Sequence, residues 1–323
     1  MMKSKLTLIG AAAALSVVWG GNCLALTSED FLAWLKANQA AQVTFKDGET
    51  ITAATADKIR PFIPLEYQDE MIFDGMEVVV REPTDLSPPA IYQEATEKFK
   101  GQATLAADGA LENYLAGLPF DPETFVPGDE QSGIKAAWNF EHRWQYQGLS
   151  IPLVDWVWVR AGGSHEGHAA ASGAMKEIYG GGGRFERVLK GPYRRVYFSH
   201  RADLASSGYE VGDNWSKGTL FREMTSFESP FDIAGTAFMI QRYNDAKKAD
   251  DAWAYIPSLR RVRRISAEVK SDSLLGTDHT LEDFYCFAGR VLEHKWEYVG
   301  SARILAVARS RNLETRYYGP NGW

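Results

Sequence analysis

Apolar positions recur at helical spacing in the first third of the chain and at alternate residues after Gly133. Thr27-Ser28-Glu29-Asp30 offers a capping start, and Phe31, Leu32, Trp34 and Leu35 follow on one face, which predicts a helix. Ser87-Pro88-Pro89 opens a second helix, whose stripe of Ile91, Ala95 and Phe99 ends at Gly101. Residues 117–133 carry Pro119, Pro122, Pro127 and several acids and read as a connection. Beyond it, Ala136, Trp138, Phe140, His142, Trp144 and Tyr146 alternate with Ala137, Asn139, Glu141, Arg143, Gln145 and Gln147. This predicts a strand with one aromatic and one polar face. Leu292, His294, Trp296 and Tyr298 repeat the pattern against Glu293, Lys295 and Glu297. Residues 236–240 and 253–256 also read as strands. So do residues 154–159, where Trp156 and Trp158 alternate with Val157 and Val159, a composition that favours burial on both faces over an exposed edge.

The expected architecture is α+β and mainly β. A large curved antiparallel sheet must curl or close to hide its aromatic face, with the N-terminal helices packed against it. Three regions follow: 1–25, 26–133 with the helices and the proline-rich connection, and 134–323 with the sheet.

The first region reads as an address. Met1-Met2-Lys3-Ser4-Lys5 is basic, residues 6–21 are apolar and shorter than the roughly 20 residues a spanning helix needs, and Cys23-Leu24-Ala25 forms a cleavage site. The mature chain is expected to begin at Leu26 in the periplasm. Gly20-Gly21-Asn22 does not fit the run expected ahead of a lipidated cysteine at Cys23.

Charge changes the picture only by exclusion. Formal charge is -7, and loss of Lys3 and Lys5 makes it more negative, which argues against nucleic-acid binding. Trp, Tyr and Phe make up 12% of the chain against only 6 His and 2 Cys, so groups that surround apolar molecules outnumber groups suited to polar catalysis. After cleavage Cys286 is the one cysteine left, no internal disulfide can form, and its apolar neighbours predict a buried, inert thiol.

Residues 251–265, Asp-Ala-Trp-Ala-Tyr-Ile-Pro-Ser-Leu-Arg-Arg-Val-Arg-Arg-Ile, resemble a signature of outer-membrane lipoprotein-sorting-like proteins. Residues 271–278 with Leu281-Glu282-Asp283, and upstream Ala116-Gly117-Leu118-Pro119-Phe120 and residues 136–141, are similar to the same group. From about Leu111 onward the chain resembles the bacterial family termed domain of unknown function 1329. The resemblance implies a fold like the periplasmic carriers LolA and LolB: an incompletely closed antiparallel barrel with a helical lid over a hydrophobic cavity. It also implies an exporter of the resistance-nodulation-division type, and the outer-membrane surface, as partners. It supplies no catalytic residues and no cofactor. Family members continue past Tyr317-Tyr318-Gly319-Pro320, so the last barrel strands are expected to be missing.

The candidate cavity lining is Trp138, Phe140, Trp144, Tyr146, Trp253, Tyr255, Leu292, Trp296 and Tyr298, suited to a lipid or another hydrophobic molecule. The same residues would serve equally as packed core. Arg260, Arg261, Arg263 and Arg264 offer bidentate grips for an anionic head group or a partner. They could instead pair across the sheet with Glu293, Glu297 or Asp272. His165-Glu166-Gly167-His168 lacks further ligands at metal spacing and reads as a surface turn. Ser164 lacks a nucleophile elbow, and Gly180-Gly181-Gly182-Gly183 lacks the lysine of a phosphate loop. A carrier of hydrophobic molecules is the expected function. A scaffold for an exporter and, less favoured, a hydrolase are the alternatives.

Overall fold

A strand whose neighbours lie on both sides shows its burial directly: in Tyr193, Arg194, Arg195, Val196 and Tyr197, odd residues are buried and even ones exposed. The six-stranded sheet to which this segment belongs is the main feature of the computed structural model, which describes residues 26–82, 86–161, 183–266, 273–276 and 279–306. The segments 1–25, 162–182 with Ser164, His165, His168 and most of the glycine run, Asp272, and the C-terminal residues from 307 lie outside the described residues.

The chain divides into two compact units, Met1–Arg81 with Ser301–Leu305, and Glu82–Gly300 with Ala306–Trp323. In the first, α1 (Ser28–Ala40) starts at a full capping box in which Thr27 and Asp30 satisfy each other's backbone N–H. A small antiparallel pair, β1 (Thr50–Thr52) and β2 (Glu77–Val79), brackets short 3-10 turns and α2 (Gln68–Met71). Its core is Ile51, Ala56, Ile59, Ile63, Met76 and Val80. Asn38 is fully buried on α1 and ties three segments together. Its amide donates to the Pro61 and Arg303 carbonyls at 2.8 and 2.6 Å, and its carbonyl accepts from the Arg303 N–H at 2.9 Å.

The second unit holds α3 (Ala90–Phe99), a hairpin of β3 (Thr104–Leu105) and β4 (Leu111–Glu112), α4 (Ser132–Glu141) and the large sheet. The sheet comprises β5 (Gly148–Ala161), β6 (Gly183–Tyr197), β7 (Thr219–Ser226), β8 (Ala237–Tyr243), β9 (Asp251–Ile256) and β10 (Arg261–Ile265). They pair antiparallel in sequence order, β5 and β10 at the edges, so the sheet is open and not closed into the expected barrel. The helices expected at residues 28 and 90, and the strands expected around 154–159, 236–240 and 253–256, are present.

Two expected strands are not. Residues 136–141 belong to α4, because Gly133, Ala137 and Trp138 fall together on one helical face, which an alternating pattern would split, and Ala136 and Ala137 are strong helix formers. Gly133 explains why that face can pack so tightly: a Cβ there would sit 2.4 Å from the Trp296 carbonyl oxygen. The helix stops at His142, and Trp144 and Tyr146 lie in the irregular turn that follows, Tyr146 at φ 55°. Residues 292–298 form no strand either. Val291–Glu293 is a 3-10 turn, Trp296 then hydrogen-bonds back to the Val291 carbonyl, and the segment joins no sheet. Cys286 is exposed, not buried, on a left-handed turn at φ 72°.

Asn38→Ala removes three buried hydrogen bonds and leaves backbone groups of two segments unpaired. It should destabilise the protein by about 2–3 kcal/mol, measured by urea unfolding; a cost within the error of that measurement would refute this role for Asn38.

Candidate functional site

The sheet has two unequal faces. On the inner one, opposite partners across β6, β7 and β8 are Arg195 with Glu223 and Ile240, and Tyr197 with Phe221 and Arg242. Arg195 and Glu223 are 4% and 6% exposed, so a full ion pair lies inside the protein. The Arg195 Nε donates to Glu223 Oε2 at 2.8 Å, a second guanidinium nitrogen reaches the same oxygen, and the Tyr193 hydroxyl donates to it at 2.7 Å. The guanidinium lies between Phe221 and Tyr285, 4.3 and 4.0 Å from their ring centroids. Burial works against its charge, but Glu223 and the neighbouring tyrosines outweigh this and raise its pKa above the ordinary arginine range.

Arg242 repeats the arrangement. It donates to Asp250 at 2.8 Å, to Glu141 at 3.2 Å and to the Ala288 and Gly289 carbonyls at 2.6 and 3.3 Å. Burial pushes the Glu141 carboxyl above its usual value while Arg242 pulls it back.

Beside this network lies a cavity of about 160 Å³. Tyr114, Trp138, His142 and His200 form an aromatic wall: Tyr114 is 4.4 and 4.7 Å from the two imidazoles, which are 5.2 Å from each other, and Trp138 stacks on His142 at 6.1 Å. Burial lowers the pKa of both histidines, that of His142 further, with His200 adding to it. Both rings are therefore neutral near pH 7. The His200 Nδ1 lies 2.9 Å from the Leu115 carbonyl, an acceptor, so Nδ1 carries the proton and Nε2 is bare. No group of three metal-ligating side chains occurs among the described residues.

The nine expected lining residues do not converge. Trp138 borders the 160 Å³ cavity, with its indole N–H donating to the Gly109 carbonyl at 2.9 Å. Phe140 points the other way, 37% exposed beneath the Arg143 guanidinium. Trp144 and exposed Tyr146 meet at a tilt, 5.2 Å apart, beside a space of about 30 Å³. Leu292 and Trp296 pack against the Trp138 core, and Tyr298 meets Phe125 edge-on at 5.6 Å. Trp253 and Tyr255 are on β9, on the outer face of the sheet.

That outer face is the second candidate. One row across five strands reads Arg194, Met224, Met239, Trp253 and Arg264, and beside it Ala237, Tyr255 and Val262 form another. Met224 and Tyr255 are each 38% exposed and Val262 64%. At about 4.8 Å per strand the row is roughly 19 Å long. Arg260 turns the β9–β10 hairpin at φ 49°, and Arg261, Arg263 and Arg264 are exposed on the edge strand. Arg264 bonds Asp251 and Glu293 bonds Arg290, so the expected pairing of Arg264 with Glu293 or Glu297 is not seen, while Asp272 lies outside the described residues. Arg194, Arg260, Arg261 and Arg263 meet no carboxylate among the described residues.

The inner network and the histidine pair went unread in the sequence. The alternation of 193–197 with 221–225 was the available signal, but its inward positions include arginine and glutamate.

The family model for proteins of unknown function DUF1329 matches residues 50–320. The chain belongs to the DUF1329 family. Two solved structures are similar to it. One is a Vibrio parahaemolyticus domain provisionally described as outer membrane lipoprotein-sorting, 21% identical with a TM-score of 0.32 and covering 52% of each chain. The other is a DUF1329 family protein from Desulfovibrio piger, 20% identical with a TM-score of 0.30 and covering 50% of each. The match thus spans about half the length of each. No curated protein matches the sequence. Among the described residues of this DUF1329 chain, no helix is long and apolar enough to cross a membrane.

Two measurements test the electrostatics. Glu223→Leu strands a buried guanidinium and should cost about 3–5 kcal/mol, while adding Arg195→Met should restore most of it; urea unfolding of both variants decides, and equal costs would refute the pairing. Each neutral histidine has a folded pKa below its unfolded value of about 6.5. The unfolded chain therefore binds more protons there, and stability falls as pH drops below that value, whereas Glu141, with its raised pKa, has the opposite sign. Between about pH 7 and 5.5 the wild type should lose stability faster than the His142→Phe/His200→Phe variant, and parallel profiles would refute the assignment.

Proposed function

We propose that this DUF1329 protein is a periplasmic, non-enzymatic carrier that binds anionic amphiphiles on the outer face of its open sheet. The observation that carries the reading is the row Arg194, Met224, Met239, Trp253, Arg264: an apolar strip with a guanidinium at each end. An acyl chain laid along the strip would remove its own surface and that of Met224, Trp253 and Tyr255 from water, at about 0.8 kcal/mol per methylene buried. Thioether side chains adapt to chains of different shape, and Trp and Tyr offer rigid area with polar tips. Arg194, with no carboxylate partner among the described residues, would take a carboxylate or phosphate head group in a bidentate grip.

An exposed apolar strip flanked by charge is a usual mark of a binding surface. Delivery would be to the outer-membrane surface or to an exporter of the resistance-nodulation-division type.

Palmitate titrated into the purified chain should shift Trp fluorescence and saturate. Met224→Glu combined with Trp253→Glu should weaken it at least tenfold without loss of the fold, since both side chains face solvent. Arg194→Glu with Arg264→Glu should weaken palmitate and spare an uncharged monoacylglycerol. Unchanged palmitate affinity in the Met224/Trp253 variant would overturn the reading.

A further inference from the structure

The cavity beside Arg242 is a different kind of space from the outer face. Its volume of about 160 Å³ is close to that of cavities known to hold benzene, and far too small for a long acyl chain. Its two guanidinium groups are already paired inside the protein. Arg242 is saturated by Asp250, Glu141 and two carbonyls, Arg290 binds Glu293 and the Ala246 carbonyl, and Lys248 lies 3.3 Å from the centroid of the Tyr243 ring. Asp245, which accepts the Lys247 backbone N–H at 2.9 Å, lies on the same wall as Lys248, so a ligand charge of either sign meets its like as well as its opposite.

What remains unspent is the imidazole pair. His200 uses Nδ1 on the Leu115 carbonyl and keeps Nε2 as a bare acceptor. His142 has ring contacts with Tyr114, Trp138 and His200, and no hydrogen bond to either ring nitrogen among the described residues. Neither imidazole is fully buried, so water can meet these nitrogens, and a ligand that donates there replaces that water with a hydrogen bond worth about two- to tenfold in affinity net. The surrounding rings supply flat apolar area for a further ring to stack on or meet edge-on.

We infer that this cavity is a second binding site, for a small uncharged single-ring molecule bearing one hydrogen-bond donor, with a phenol as the simplest case. The ring lies among Tyr114, Trp138 and the two imidazoles, and its hydroxyl donates to a bare imidazole nitrogen. The donor distinguishes such a ligand from a hydrocarbon of equal size.

The test compares phenol with benzene and toluene, each titrated into the purified full chain and followed by NMR shifts of the indole and imidazole signals. Phenol should bind about tenfold more tightly than benzene, the worth of one net hydrogen bond. His142→Phe and His200→Phe, made singly, keep a ring in place and remove the nitrogen; at least one should abolish the preference while leaving benzene bound. If either variant fails to fold, the wild-type comparison alone decides. Equal binding of phenol and benzene, shifts confined to surface residues, or an undiminished preference in both variants would overturn the inference. Met224→Glu with Trp253→Glu should leave phenol binding unchanged, so failure here and failure of the carrier reading are told apart.

Discussion

The Arg195–Glu223 pair decides which way the sheet faces. Burying either charge alone would cost several kcal/mol, so the two must enter the interior together, and their positions directly opposite on β6 and β7 bring this about. A slip of one residue between these strands would turn one partner outward and strand the other. The pair therefore acts as a register lock. Arg242 extends the lock to β8, opposite Phe221, with Glu141 and Asp250 as its counter-charges. With odd residues of β6 committed inward, Arg194 and Val196 have only the outer face left, and the register carries this choice through Met224 and Met239 to Trp253. The open apolar strip follows from the buried charges.

The same charges explain what could be read from the sequence. α1 and α3 were legible from capping and stripe, and β5, β8 and β9 from apolar runs bounded by turns. β6 and β7 were not, because their inward positions alternate Tyr, Arg, Tyr and Phe, Glu, Thr, which no hydrophobic pattern detects. Residues 136–147 misled for the converse reason. Their aromatic alternation is strong, but over a stretch of ten residues Gly133, Ala137 and Trp138 also fall on one helical face, and the close approach to Trp296 selected the helix. Once α4 is a helix, Trp138 and Phe140 point apart, so a lining that presumes both was lost with the strand. Trp253, Tyr255 and Arg264 were legible as an apolar and cationic group, but not the face they share, since a face is a property of register and not of one segment.

Size and charge together assign the two candidate sites different ligands. The outer face is open, so length sets no limit there, and guanidinium groups at its margin that meet no carboxylate among the described residues favour an anion. The inner cavity, at about 160 Å³, has room for little more than one ring, and its guanidinium groups are paired within the protein.

The end of α4 joins the network to the cavity. Glu141 is the last helical residue and His142 its cap, so one turn of backbone directs a carboxylate to Arg242 and an imidazole to the cavity wall. A carboxylate at a helix C-terminus opposes the helix dipole and, when buried, also loses solvation. Glu141 is tolerated there because Arg242 faces it. The Tyr92 hydroxyl, donating to the His142 carbonyl at 2.7 Å, occupies an acceptor that the helix end leaves open. The His142 ring is thus placed by its neighbours on both sides, with Trp138 stacked against it one turn back, and neither ring nitrogen is spent on a partner among the described residues. An imidazole held this firmly by backbone and stacking contacts keeps its hydrogen-bonding capacity for whatever enters the cavity.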